Sequence, residues 1–338
     1  MPEPSPSPSP KRRGRLLRFG AACVVLSAVA GYVVVQYVTG GTGDPGCRVV
    51  SRGAGGAGGA GGATYEFTPE QAVNAATIAA VGTDRAMPER AVAIALATAL
   101  QESGLRNLTH GDRDSLGLFQ QRPSQGWGTE AQVTDPAYAA SIFYKHLAKV
   151  RDYTELPLTV AAQRVQRSGY PEAYAKHEPD AVVLAAALTG TSAATLTCDG
   201  RARAVTATGP DAVRAALARD FGRDALREAD ADTEAGAEKT SATDTPVTET
   251  DGRTVTLPVS KDTIAGGRSV SECGWQLAHW AVANASALRI ERVSYAGREW
   301  VAGNTDSQWR STGSTSTEAA GTAGAGGAAD SVRIVTAP

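Results

Sequence analysis

Residues 91–104 read AVAIALATALQESG, and this pattern constrains the fold more than any other stretch of the chain. Ala91, Val92, Ile94, Ala95, Leu96, Ala99 and Leu100 cover most of a helical circumference, which predicts a central core helix enclosed by other elements. Pro88 fits a first turn, where its missing N–H removes no hydrogen bond. Glu89 suits the positive end of the helix dipole, and Gly104 is a left-handed stop.

Glu102 breaks the apolar pattern. Carboxylates are seldom buried without a partner, and partial burial beside the negative end of a helix favours the protonated form and raises the pKa. Such an acid is suited to protonating a leaving group near neutral pH. Taken alone, a glutamate in a last turn reads as a solvated residue. Its neighbours set this one apart: Gly111, Asp112, Asp114, Gly117, Leu118, Phe119, Gln120 and Gln121 follow within twenty positions. Glycines let a backbone approach a ligand closely, and side-chain amides bond sugar hydroxyl and acetamido groups.

Glu102-Ser103-Gly104, then Gly111-Asp112, then Gly117-Leu118-Phe119-Gln120 resemble in order the Glu-Ser and Gly-Leu-x-Gln motifs of lysozyme-like lytic transglycosylases, over roughly residues 64–198. The resemblance implies a mainly α lysozyme-like domain that cuts the MurNAc–GlcNAc bond in the glycan strands of peptidoglycan. It makes Glu102 the catalytic acid and base, and has Gln120 and the Gly117 turn line the sugar cleft. Ser103, Asp112, Asp114, Leu118, Phe119 and Gln121 are expected as its substrate-binding neighbours. Many of these enzymes carry a Tyr-Asn pair on a later helix. Here residues 161–174 read AAQRVQRSGYPEAY, which offers Gln163, Gln166 or Tyr170 in its place. In that family one Glu acts first as acid and then as base, the substrate's N-acetyl group assists, and an anhydro-sugar end results. Lysozyme-like hydrolysis is the neighbouring reading, and a non-catalytic wall-binding protein on a degenerate scaffold is the alternative from another class.

Several residues read two ways. Hydrolases usually pair the acid with a second carboxylate about 5 to 9.5 Å away, which makes Asp112 and Asp114 candidates. Asp114-Ser115 also reads as a simple turn. Trp127, in RPSQGWGT, either stacks on a pyranose face or anchors its loop on the core. Tyr144, Tyr170 and Tyr174 pose the same choice, with packing the simpler reading.

Further helices are expected in this domain, assigned to residues 63–200. Thr68 reads as an N-cap, with Pro69 at the first helical position and Gln71 completing a capping box. Asp135-Pro136 opens a run to Val150, and Leu158 to Val165 and Asp180 to Leu188 read as two more helices.

Residues 1–18 form a Pro/Ser-rich tail ending in a basic cluster, Lys11, Arg12, Arg13, Arg15 and Arg18. Residues 19–39 contain no charge. A helix of about 21 residues spans a hydrocarbon core of about 30 Å, so a single-pass membrane anchor is expected. The basic flank places the tail in the cytoplasm and the main domains outside. A cleaved secretory signal with a site at Ala28-Val29-Ala30 is the competing reading and also exports them. Residues 40–62, containing GAGGAGGAGG, read as a flexible linker with a reach of roughly 25 Å.

Export agrees with the cysteines. Cys23 falls in the apolar segment, leaving Cys47, Cys198 and Cys273 outside it. Cys47 and Cys198 bracket the helical domain and are the expected disulfide, because domain ends often lie close together. His110, His146, His177 and His279 are scattered and no cysteine pair has zinc-site spacing, so neither metal nor cofactor is expected. A net charge of −2 over 338 residues gives no global basic field, which argues against nucleic acid.

Residues 201–253 read as a helix, AVRAALARDF, followed by an acidic, Thr-rich linker. Residues 254–338 are expected to form a separate small α/β domain, with strands at TVTLPVS, ERVSYAGREWV and SVRIVTA and a helix over residues 274–286. A cell-wall partner for this domain is a reading from its position alone. His279, near Trp275 and Trp280, reads as a packing residue.

Overall fold

Thr68 begins the first long helix, α1 (Pro69–Asp84), through the capping box its sequence announces: the Thr68 hydroxyl accepts from the Gln71 N–H, and the Gln71 side chain accepts from the Thr68 N–H. The second, α2 (Glu89–Ser103), starts after Pro88, which stands one position before the first turn and caps through no side chain. Gly104 ends it at φ 62°, returning its N–H to the carbonyls of Ala99 and Leu100. Every residue of α2 from Ala91 to Leu100 is buried. Alternating alanines let neighbouring backbones approach closely on all sides. α1, α4 (Pro136–Leu147), α5 (Leu158–Gln166) and α6 (Glu178–Leu188) surround the helix, and α3 (Glu130–Val133) packs on α4. Asp135 caps α4 by accepting from the N–H groups of Ala137 and Tyr138.

These helices are described within a structure, a computed structural model, that covers residues 46–51, 63–200, 208–222, 252–259, 267–303, 308–312 and 331–338. The segment 19–39, expected to cross a membrane, lies outside the described residues, as does most of the acidic linker. Among the described residues no helix is long and apolar enough to cross a membrane.

Two antiparallel sheets flank the helices. The first has the order β2 (Thr64–Phe67), β1 (Cys47–Val50), β3 (Leu196–Cys198). Cys47 lies directly opposite Cys198 in the β1–β3 register, and a disulfide joins them. The second runs β4 (Thr254–Pro258), β8 (Ser331–Thr336), β5 (Ile290–Tyr295), β6 (Arg298–Val301), β7 (Arg310–Ser311). Against it packs α8 (Val270–Ala283), continued by the short α9 (Ala285–Leu288).

The expectation of a mainly α domain behind a membrane helix, with a separate α/β domain after it, is corrected by this arrangement. Among the described residues nine α-helices accompany eight strands in two antiparallel sheets, and these described elements fall in one compact unit. α8 is buried on two sides: it lies on β5 and β8, and it also contacts α1 and α6. Its polar groups bond outward to the helical part. Gln276 Nε2 donates to Thr83 Oγ1 at 2.7 Å. His279, fully buried, takes the Thr195 N–H on Nε2 and bonds the Ala187 carbonyl through Nδ1, so it is the satisfied packing residue expected. Asp220, at the end of α7 (Pro210–Phe221), accepts from Thr77 Oγ1 and from the indole N–H of Trp280. The indoles of Trp300 and Trp309 donate to the β3 carbonyls of Cys198 and Leu196. A helix with two buried sides cannot belong to a free-standing unit, because separation would wet one of them.

The three-stranded sheet was not expected. β1 falls inside the stretch that composition assigns to a linker, and β3 is three residues long. Runs this short carry no readable period-two alternation.

Candidate active site

Glu102 occupies the last turn of α2, where the helix leaves the core. The chain then reverses: Gly104 and Leu105 both have positive φ, at 62° and 59°, and Leu105 is fully buried. This turn brings residues 111–121 back beneath the helix end. Ser103 fastens the two, its hydroxyl lying 3.1 Å from the Ala99 carbonyl and 2.7 Å from the Leu118 carbonyl. Gly117 is required by geometry. Its φ is +76°, and a Cβ there would come within 2.1 Å of the Val133 carbonyl oxygen.

Two groups converge on the carboxyl. The phenol of Tyr174 donates to Glu102 Oε1 at 2.6 Å. The side-chain amide of Gln166 hydrogen-bonds the carboxyl as well, while its Nε2 donates to the Phe119 carbonyl at 2.8 Å. Burial pushes the Glu102 pKa up, the two hydrogen bonds pull it down, and burial prevails. Burial, the Glu102 charge and the hydrogen bond to it together raise the Tyr174 phenol far above its ordinary range, so it remains a donor.

The carboxyl opens into a cleft of about 720 Å³. Of the expected site residues, Glu102, Asp112, Gln120, Gln121, Trp127, Gln166 and Tyr170 line it. Gln120 contributes from a strained φ of 46°, with Oε1 accepting from Ser115 Oγ and Nε2 donating to the Gly117 carbonyl. Gln121 is buried, gives Nε2 to the Ala139 carbonyl, and keeps Oε1 as an unpaired acceptor. Trp127 anchors its loop on the core, one of its two readings, and stacks on His146, ring centroids 4.4 Å apart, with part of its surface in the cleft. Tyr170 stands at the rim, 77% exposed.

The remaining expected residues act from behind. Leu118 and Phe119 are fully buried, Phe119 stacking on Phe143, so their side chains belong to the core. Their carbonyls nevertheless hold Ser103 and Gln166. Asp114 lies outside the cleft lining. The Ser124 N–H and the Arg122 guanidinium, at 2.8 and 2.9 Å, hold its carboxyl well below the usual carboxylate range, as a turn residue tied to its own loop.

Sequence reasoning weighed Tyr174 only as a packing or sugar-stacking ring and missed its bond to Glu102. It stands just before a 3-10 turn, Ala175–His177, in a segment without helical periodicity, and a lone tyrosine there is indistinguishable from packing. It is fully buried, as the packing reading had it, with its hydroxyl bonded to Glu102. Also missed was the basic side of the cleft, where Lys149, Arg164 and Arg167 join Arg122 and His146. Partial burial, then Lys149, Lys145 and Arg167 in turn, lowers the His146 pKa.

The grouping can carry general-acid chemistry. A carboxyl whose pKa burial raises faces an open groove, and two donors stand ready to stabilise the carboxylate once its proton has left. Compared with protein-family models and with curated proteins, the chain matches none.

Proposed function

We propose that this protein cuts the glycan strands of peptidoglycan at the MurNAc–GlcNAc bond, with Glu102 as general acid and then general base. The observation that carries the reading is the convergence of Tyr174 and Gln166 on a partly buried carboxyl with a raised pKa, in the lining of a cleft of about 720 Å³. In the first step the Glu102 O–H gives its proton to the bridging oxygen as the bond from that oxygen to C1 breaks. The resulting carboxylate is the form that Tyr174 and Gln166 favour. In the second step the C6 hydroxyl of the same muramyl residue adds to C1 and returns its proton to Glu102, giving a 1,6-anhydro end. Water in place of that hydroxyl gives hydrolysis.

The carboxylates present favour the first version. Asp112 is the other carboxylate of the cleft lining, and it is exposed, whereas Asp114 is spent on Arg122 and Ser124. Chemistry that uses one carboxyl twice needs no second. The basic residues before the uncharged segment 19–39 support an extracytoplasmic position on a single-pass anchor, and the Cys47–Cys198 disulfide suits an oxidising compartment.

Mass spectrometry of peptidoglycan treated with the full chain and with its Glu102→Gln variant tests the reading. Anhydro-muramyl ends that depend on Glu102 support it, and new reducing ends support the hydrolytic version. Intact glycan with retained binding leaves a wall-binding protein and sinks the enzyme.

A further inference from the structure

We infer that the Glu102 cleft selects its strand by carboxylates hung on the sugar chain, recognised by Lys149, Arg164 and Arg167. The inference rests on the function proposed above and deepens it. Arg164 lies in the last turn of α5, Arg167 caps that helix in the left-handed region at φ 53°, and Lys149 follows α4, so three cations from two helix ends meet along one cleft.

Cations at helix C-termini are common because they complement the dipole. Two observations separate these from ordinary surface charge. Arg122, the fourth cation of the cleft, is paired with Asp114 at 2.9 Å, whereas among the described residues Lys149, Arg164 and Arg167 have no carboxylate partner. Their charge also reaches into the groove, because Lys149 and Arg167 help depress His146, whose ring stacks on Trp127 there. Asp112 and Glu102, whose pKa burial raises, are the carboxylates of the lining, two against these three cations. The cleft therefore presents net positive charge to whatever lies along it. A neutral chain of N-acetylglucosamine satisfies none of that charge. A strand with a lactyl ether carboxyl on alternate sugars, either free or extended by a peptide with its own carboxylates, satisfies it at a regular spacing.

Binding of defined hexasaccharides to the full chain, on a Glu102→Gln background that leaves the strands uncut, tests this. Four probes are compared: an N-acetylglucosamine hexamer, a glycan hexamer with free lactyl carboxylates, the same glycan with its lactyl carboxyls converted to methylamides, and the same glycan carrying stem peptides. The free-carboxylate glycan is expected to bind about tenfold tighter than its methylamide, each exposed ion pair giving a factor of roughly two to three. That preference should shrink towards one at about 0.5 M salt. It should also vanish in Lys149→Gln/Arg164→Gln/Arg167→Gln, whose three substituted side chains are all exposed, with folding checked by circular dichroism. Tighter binding of the peptide-bearing glycan assigns the carboxylates to the stems, and weaker binding, since its lactyl carboxyls are tied up as amides, assigns them to the lactyl groups. Equal affinity for the carboxylate, methylamide and peptide-bearing glycans, or a preference that survives the triple substitution, overturns the inference. Cleavage of both glycans by the unsubstituted chain without preference removes this inference and spares the proposed function. A chain that neither binds nor cuts any of the probes removes both.

Discussion

Tyr174 and Glu102, 72 positions apart, meet in a 2.6 Å hydrogen bond that joins the end of α2 to the loop before α6. The bond opposes the effect of burial on the same carboxyl. Burial favours the acid form, and the phenol favours the carboxylate. An acid that must first give up a proton and then take one back needs both tendencies.

Replacing Glu102 with Gln is expected to lower cleavage by about 10²- to 10⁴-fold, the usual contribution of a general acid. Its stability effect should depend on pH. Because the folded-state pKa is raised, protonation favours the fold below the unfolded value of about 4.3, and that contribution is lost as pH rises through the folded pKa. The variant should therefore gain on the parent as pH goes from 4 to 7, read from urea midpoints. A difference independent of pH would contradict the assignment of the raised pKa.

Tyr174→Phe keeps the ring in its buried site and removes the donor. Losing a hydrogen bond that favours the charged form raises the carboxyl pKa further. The alkaline limb of the pH–rate profile should move up. A limb that stays in place would show that the phenol does not act on Glu102.

Gly117→Ala should destabilise the protein by about 2 to 4 kcal/mol, since the methyl group meets the Val133 carbonyl and the positive φ disfavours any side chain. Because that turn carries Leu118 and Phe119, whose carbonyls hold Ser103 and Gln166, activity should fall as well. Denaturant unfolding and a cleavage assay check the two effects separately.

Asp220→Ala should cost about 2 to 4 kcal/mol by stranding the Trp280 indole and the Thr77 hydroxyl in the interior. A loss below about 0.5 kcal/mol in urea would show that water or another acceptor takes over.

Reducing the Cys47–Cys198 disulfide removes a link across 151 positions and should lower stability by about 2 to 5 kcal/mol. Thermal unfolding with and without reductant checks this, with Cys47→Ser/Cys198→Ser as the control for side reactions at Cys273.

The helices were legible wherever a cap announces them. Thr68 with Pro69 and Gln71, Asp135 with Pro136, and Gly104 act locally, within one turn of chain, and sequence displays such effects directly. Glu102 was legible as an exception to an apolar pattern. The first sheet was not, because four residues of β1 become a strand only when β2 and β3 arrive on either side. Tyr174 was hidden for the same reason: its role comes from a fold that places residue 174 over residue 102. Leu118 and Phe119 were assigned to the cleft by the motif that contains them, although their apolar side chains point to the core and only their carbonyls serve the site. The single compact unit was hidden by the low-complexity stretch between its halves, which looks like a boundary although α8 and Asp220 pack across it.

β1 and β2 pair in antiparallel register, Val50 opposite Thr64 and Cys47 opposite Phe67, so the glycine-rich run in the sequence between them joins two neighbouring strands. Both of its ends are attached to the same body, one of them through a covalent sulfur bridge. Pulling on the chain before Cys47 would load β1 and the disulfide. A protease that cut among those glycines would release nothing: two fragments would travel as one on a gel until thiol was added.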